Sequence, residues 1–180
     1  AGKGSRFSDD LLQAQGAVIA ASAAEALSGA DILLKVRRPS PDEVKALKGQ
    51  IDHLYHLAAV YDLSADEDSQ VRVNIEGTRS AVEFAKAIDA GHFHHVSSIA
   101  AAGLYEGVFR EDMFDEAEGL DHPYFMTKHE SEKIVRKECK VPWTVYRPAL
   151  VVGDSTTGEA HIPHDRPIAS KPSSSTSGVR

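Results

Sequence analysis

The sequence predicts an α/β fold, a mostly parallel sheet with helices on both faces. Three observations predict it. Short apolar runs alternate with helical patterns along the chain, loops gather at the carboxyl ends of those runs, and 180 residues at 42% hydrophobic content suffice for one domain with a sizeable core. Alternation of this kind joins parallel strands through helical crossovers, and open parallel sheets place ligands at the carboxyl ends of their strands.

The elements follow in order. "GAVIA" at residues 16–20 reads as a short strand, "SAAEALSG" at 22–29 as a short helix closed by glycine, and "ADILLKV" at 30–36 as a second strand. "RRPSPDEVKALKG" then supplies a turn and a helix ending at Gly49. Ser40 is its expected cap, Pro41 takes the first helical position, and Glu43 stands three residues beyond the cap. "DHLYHLAA" at residues 52–59 reads as a buried strand. A long helical pattern over 66–90 sets Val73, Gly77, Val82 and Ala85 near one side and is expected to stop at Gly91.

"FHHVSSIA" at residues 93–100 is the next strand, and a loop holding Gly103, Gly107 and the acidic run "REDMFDEAEG" separates it from a helix over 124–138. "WTVYRPALVVG" begins as a further strand that Pro148 interrupts. The last stretch, "HIPHDRPIASKPSSSTSGVR", is rich in proline and serine with weak periodicity, so disorder is expected beyond about residue 159.

Charge and composition narrow the function. A formal charge of −7 and no basic stripe argue against a nucleic-acid surface, and no run reaches the length of a membrane span. The single cysteine, Cys139, cannot form an internal disulfide, which favours a reducing compartment and a cytoplasmic location. His92, His94 and His95 have alternating directions and no cysteine or carboxylate at a recognisable spacing, so no metal site is expected.

The segment "YFMTK" places Tyr124 and Lys128 one helical turn apart. An ammonium on the same helical face can favour the tyrosinate, which makes a phenol usable as an acid or base. Ser98, at the carboxyl end of the preceding strand, has a hydroxyl that could bond a carbonyl or developing alkoxide. Asn74, in the long helical pattern, could orient a water or a backbone carbonyl. Taken alone, each of these residues is more economically a cap, a turn or a solvated side chain; together they occur in a compatible order.

That order resembles the extended, epimerase- and acyl-reductase-like branch of the short-chain dehydrogenase/reductase superfamily over about residues 48–159. The resemblance is carried by "HLAA", "VNIEGT", "HVSSIAAAG", "YFMTK" and "YRPALVVG". It implies a Rossmann-like fold, incomplete at both ends in this chain, in which Tyr124 is the catalytic acid/base. Lys128 would hold the nicotinamide ribose and tune Tyr124, Ser98 would position the carbonyl, and Asn74 would support the relay. His56, Leu57, Ala58, Ala59 and Pro148 would line the dinucleotide. The implied cofactor is NAD or NADP, the partner a small-molecule substrate with a carbonyl/alcohol or sugar/acyl-type group, and the assembly a homodimer through the long helices.

A chain of that family opens with a strand running into a three-glycine turn against the pyrophosphate. No such turn precedes "HLAA"; Gly2 and Gly4 lack both the strand and the third glycine. Residues 2–50 resemble instead the N-terminal domain of the nicotinamide nucleotide transhydrogenase alpha subunit, through "FSDD", "GAVIA", "ADILLKV" and "RRP". In that resemblance Lys35 matches an active-site lysine, while Arg37 and Arg38 read as a solvated strand exit. The expected organisation is therefore a transhydrogenase-like segment at 1–50, a reductase-like core at 51–159 and a tail at 160–180. Two alternatives stay open: a transhydrogenase alpha-subunit fragment with its partner subunit, and a non-catalytic interaction remnant.

Overall fold

A computed structural model describes residues 8–60, 65–149 and 156. The chain divides into a unit at Ala1–Pro148 and a unit at Ala149–Arg180; of the second, only Ala149 and Thr156 are described. The expected disordered tail and the glycines of the first seven residues lie outside the described residues.

Three short helices come first: α1 (Asp9–Ala14), α2 (Ala23–Leu27) and α3 (Pro41–Leu47). The first has no counterpart among the expected elements, yet it carries a clear local signal, since the Ser8 hydroxyl accepts from the Leu11 N–H and two aspartates occupy the first turn. The expected cap of α3 is present in full. Ser40 accepts from the Glu43 N–H while the Glu43 carboxylate accepts from the Ser40 N–H, a reciprocal capping box with proline at the helix start.

The expected strands at residues 16–20 and 30–36 do not form. Both segments run without regular structure and lie mostly exposed. Apolar β-prone residues become a strand only when a neighbouring chain accepts their backbone hydrogen bonds, and no described segment pairs with these two.

The sheet has three parallel strands among the described residues, β1 (His53–His56), β2 (His92–Val96) and β3 (Trp143–Tyr146), in the order β1-β2-β3. His53 pairs with His92 and Phe93 with Trp143, so all three carboxyl ends reach one edge. Between β1 and β2 run α4 (Glu67–Gln70), a π-helical stretch (Val71–Glu76) and α5 (Gly77–Ala87); a 3₁₀ turn (Ile99–Ala102) and α6 (Pro123–Glu138) lie between β2 and β3. The sheet is thus mostly parallel, flanked by helices and Rossmann-like, as expected.

Details differ from the sequence reading. β1 is shorter than residues 52–59 and only half-buried, because it is an edge strand in this sheet. The long helix stops at Ala87, and the residue with positive φ at its exit is Asp89 rather than a glycine; aspartate tolerates that conformation through its short polar side chain. β2 ends at Val96 because Ser98 caps the 3₁₀ turn, its hydroxyl accepting from the Ala100 N–H at 3.1 Å. Pro123 starts α6, with His122 as its cap.

The core lies between the sheet and the helices. Phe93 of β2, Val82, Ala85 and Ile88 from the α5 region, Ile134 and Val135 of α6, and Leu47 of α3 form one buried cluster. His56 bonds to Thr78 of α5 and Phe93 packs with Ile134 and Val135 of α6, so both long helices cover the same side of the sheet. On the opposite side His53 joins His94, His94 joins Tyr146, and Tyr55 stacks on His94 with ring centroids 4.2 Å apart.

Candidate functional site

Of the residues singled out above, Leu57, Ala58 and Ala59 follow β1, Ser98 follows β2, Pro148 follows β3, and Lys128 of α6 reaches the carbonyl of Val96. Lys128, on α6, is 3% exposed, and its ammonium donates to the Val96 carbonyl at 3.1 Å. That contact fixes α6 against the last residue of β2, two positions before Ser98. Burial pushes the Lys128 pKa down to about 8, against the opposing pull of the Glu132 carboxylate.

Tyr124 stands one turn earlier on α6, half-buried, with its N–H held by Nδ1 of His122 at 3.1 Å. Among the described residues its hydroxyl has no hydrogen bond to Lys128 or Ser98. Ser98 is half-buried at the start of the 3₁₀ turn, and the Ile99 N–H donates to the Pro148 carbonyl at 3.1 Å, which brings the ends of β2 and β3 together.

Asn74 is buried in the π-helical stretch. Its amide oxygen accepts from the Val60 N–H at 2.8 Å, and its amide nitrogen donates to the Val60 carbonyl at 3.0 Å and to Thr127 Oγ1 at 3.1 Å. All of these bonds go to protein groups, and they tie the segment after β1 to α6. π-helical turns are rare and recur at functional sites. Here the irregularity coincides with the residue that joins three elements.

The expected dinucleotide-lining residues fall into two groups. Leu57 and Ala58 are exposed at the carboxyl end of β1, Ala59 is half-buried beside them, and Pro148 is exposed beyond β3. The His56 side chain is instead turned under the helices. Thr78 donates its hydroxyl proton to the Asn74 carbonyl, so His56 Nε2 must donate to Thr78 Oγ1, at 3.2 Å. His56 stacks on His95 at 5.6 Å, and burial, with the charge of Lys128, lowers its pKa to about 4. His95 is lowered to about 3, by burial first and then by the charges of His56 and Lys128.

Two residues of this region escape the sequence reading. Glu132 is fully buried, where it accepts from Arg147 at 2.6 and 3.0 Å and from Arg136 at 2.8 Å. Burial pushes its carboxyl up, but the hydrogen bonds from Arg147 and Arg136 outweigh this and hold its pKa below the usual value. The available signal is its position four residues after Lys128, on the same helical face. His129 is the other; its Nδ1 lies 3.0 Å from the Ala101 carbonyl and its ring stacks on Phe114 at 4.2 Å, which fastens α6 to the 3₁₀ turn.

Lys35 lies away from these residues on the exposed segment before α3, paired with Glu43 at 2.7 Å. Arg38 donates to Ser80 at 2.7 Å. Among the described residues there is no cluster of three metal-ligating side chains, and no helix is long and apolar enough to cross a membrane.

Comparison with known proteins gives the family. Among curated proteins, a linear gramicidin synthase chain of Brevibacillus parabrevis is 29% identical over 66% of this chain, and the NAD(P) transhydrogenase alpha subunit of Rhodospirillum rubrum is 45% identical over 33% of it. The chain spans 2% and 17% of those two proteins. Among solved structures, the terminal R domain of the myxalamid PKS-NRPS pathway superposes with a TM-score of 0.57 at 29% identity, covering 65% of this chain and 31% of that one. UDP-glucuronic acid 4-epimerase from Bacillus cereus, solved in complex with NAD, gives 0.52 at 30% identity, covering 61% and 36%. These bear out the extended short-chain dehydrogenase/reductase resemblance and the partial resemblance to the transhydrogenase alpha subunit. The model of the NAD-binding family described as Male sterility protein matches residues 40–168, and the chain belongs to that family.

Proposed function

We propose that this chain is the core of an NAD(P)-dependent oxidoreductase that moves a hydride between nicotinamide and the carbonyl/alcohol pair of a sugar- or acyl-type substrate. The observation that carries the reading is the buried Lys128 ammonium, one turn after Tyr124 and anchored to the last residue of β2, two residues before Ser98. A buried cation without a carboxylate hydrogen-bonded to it is costly, and such sites are concentrated where chemistry uses the charge.

The carboxyl-edge residues fit the nicotinamide-ribose half of a dinucleotide. Lys128 would hold the ribose hydroxyls, and the exposed backbone of Leu57, Ala58 and Ala59 with Pro148 would line it; His56 would contribute through its backbone, its ring being committed to Thr78. No three-glycine turn precedes β1 to receive the pyrophosphate. When bound, the nicotinamide supplies the hydride donor or acceptor.

The remaining work falls to the chain itself. The Ser98 hydroxyl would hold the substrate carbonyl oxygen, and Tyr124 would deliver a proton to that oxygen or remove one from the alcohol. Asn74 supports the site by holding Val60 and Thr127 in register. We also read residues 1–50 as a segment of transhydrogenase ancestry, residues 51–159 as the reductase core, and α5 with α6 as the helices of a homodimer. The second reading, a transhydrogenase alpha-subunit fragment working with its partner subunit, is favoured by the 45% identity to that protein.

Titration of the full chain with NADH and NADPH, followed by nucleotide fluorescence, tests the proposal. Binding in the micromolar to millimolar range is expected, with Tyr124→Phe keeping that affinity and losing at least about 100-fold in carbonyl reduction. No binding of either nucleotide at millimolar concentration, or full turnover by Tyr124→Phe, would overturn it.

A further inference from the structure

The face of the sheet turned away from α5 and α6 carries three imidazoles. The parallel register sets His53 of β1 beside His92 of β2, Tyr55 beside His94, and His94 beside Thr144 of β3. His53, Tyr55, His92, His94 and Thr144 therefore share that face, since alternate residues of a strand point the same way. The rings of His92 and His94 lie 4.5 Å apart between centroids, those of His53 and His94 5.3 Å, and those of His53 and His92 6.2 Å. His94 is buried in the middle of the group, whereas His53 stands exposed on the edge strand.

Hydrogen bonds link the group across all three strands. Nδ1 of His53 lies 3.1 Å from Nε2 of His94, Nδ1 of His94 lies 2.9 Å from the Tyr146 hydroxyl, and Nε2 of His92 lies 2.9 Å from Thr144 Oγ1. A bond between two imidazole nitrogens holds one proton, so one ring must keep a lone pair at its end. When both rings are protonated, two N–H groups face each other and the bond is lost. His92 then adds a third positive charge. Burial, followed by the charges of His92 and His53, lowers the His94 pKa. The remaining neighbours of His94, namely Tyr55 stacked on its ring, Thr144 and Tyr146, offer hydroxyls and no carboxylate to balance that charge.

We propose that His53, His92 and His94 form an acid-sensitive clasp, which holds the edge strand β1 against β2 while the rings are neutral and loosens it when they are protonated. β1 has one strand neighbour among the described residues, so repulsion between side chains meets the least backbone resistance there. The clasp is separate from the His56 and His95 pair, which lies on the opposite face under the helices. A His94 pKa below the unfolded value of 6.5 means that its contribution is complete above pH 6.5 and is lost as pH falls below it. β1 leads into Leu57, Ala58 and Ala59, so loosening it also disturbs nucleotide binding; this consequence alone rests on the function proposed above.

Amide hydrogen exchange of the full chain, corrected for its intrinsic pH dependence, reads the clasp without any ligand. Protection of the β1 amides is expected to fall at least about tenfold between about pH 7.5 and about pH 5, and by more than that of α6. Replacing the two less buried rings together, His53→Gln with His92→Gln, is expected to remove most of this response. The same double variant is expected to raise the pH at which the His94 ring titrates by NMR. NADH affinity is expected to weaken over the same pH range in the wild type, and less in the double variant. β1 protection that ignores pH, an equal acid response in the double variant, or a His94 titration that does not move would overturn the proposal. A β1 response without NADH binding at either pH would support the clasp and count against the nucleotide reading.

Discussion

The Lys128 ammonium lies 3.1 Å from the Val96 carbonyl, with its long side chain buried between α6 and the end of β2. The contact gives α6 a single height along the sheet, which in turn sets where Tyr124 stands relative to Ser98. It also stores an electrostatic cost, since burial holds the Lys128 pKa at about 8.

That cost is visible in stability. A folded-state pKa below the unfolded value of 10.5 means that the unfolded chain binds the extra proton between pH 8 and 10.5, so this contribution to stability rises with pH across that window. Lys128→Met removes it. Urea melts should show the stability difference between the two proteins shifting by up to about 3 kcal/mol in favour of the wild type from pH 7 to pH 10.5; a constant difference would contradict the buried charge.

The buried histidine pair acts in the opposite pH range. His56 at about 4 and His95 at about 3 both lie below the ordinary 6.5, so the unfolded chain takes up protons first as pH falls. Their contribution is complete above pH 6.5 and is lost as pH drops through 6.5 towards 4 and 3, at up to about 1.4 kcal/mol per pH unit for each group. His95→Phe should flatten the acid limb of a stability-against-pH curve. An unchanged slope would place the acid sensitivity elsewhere.

Glu132 is held by two guanidinium groups with no exposure of its side chain. Glu132→Ala leaves Arg147 short of its carboxylate partner and should cost about 3–5 kcal/mol by denaturant unfolding. Adding Arg147→Met should cost less than the sum of the two single changes, because the second removes a charge that the first leaves unpaired. Strict additivity would argue against the pair.

Gly103 has φ 65° and ψ −129°, a conformation open mainly to glycine, and a Cβ there would run into the Glu118 carbonyl. The Leu104 N–H donates to that same carbonyl, closing the loop beside the 3₁₀ turn. Gly103→Ala should therefore lose about 2 kcal/mol or more in a thermal or urea melt and loosen the loop next to Ser98.

Much of this is legible in the sequence. The Ser40-Pro41-Glu43 cap, the order Asn74, Ser98, Tyr124, Lys128, and the alternation of helical and apolar segments depend on neighbours a few residues apart, and local chemistry specifies them. The reading fails at residues 16–20 and 30–36, where apolar β-prone composition predicts strands; hydrogen bonding to another segment decides that question, and composition does not report it.

The sequence by itself marked Ser98, Tyr124 and Lys128 as candidates for proton-transfer chemistry and, α1 apart, located the helical segments. Only the tertiary structure decided how those residues are used. It bonded the His56 ring to Thr78, spent the Asn74 amide on Val60 and Thr127, and joined Glu132 to Arg147 across 15 positions of chain. The physical reason is that burial and hydrogen-bond partnership are properties of packed neighbours, and packing brings together residues that are distant in the chain.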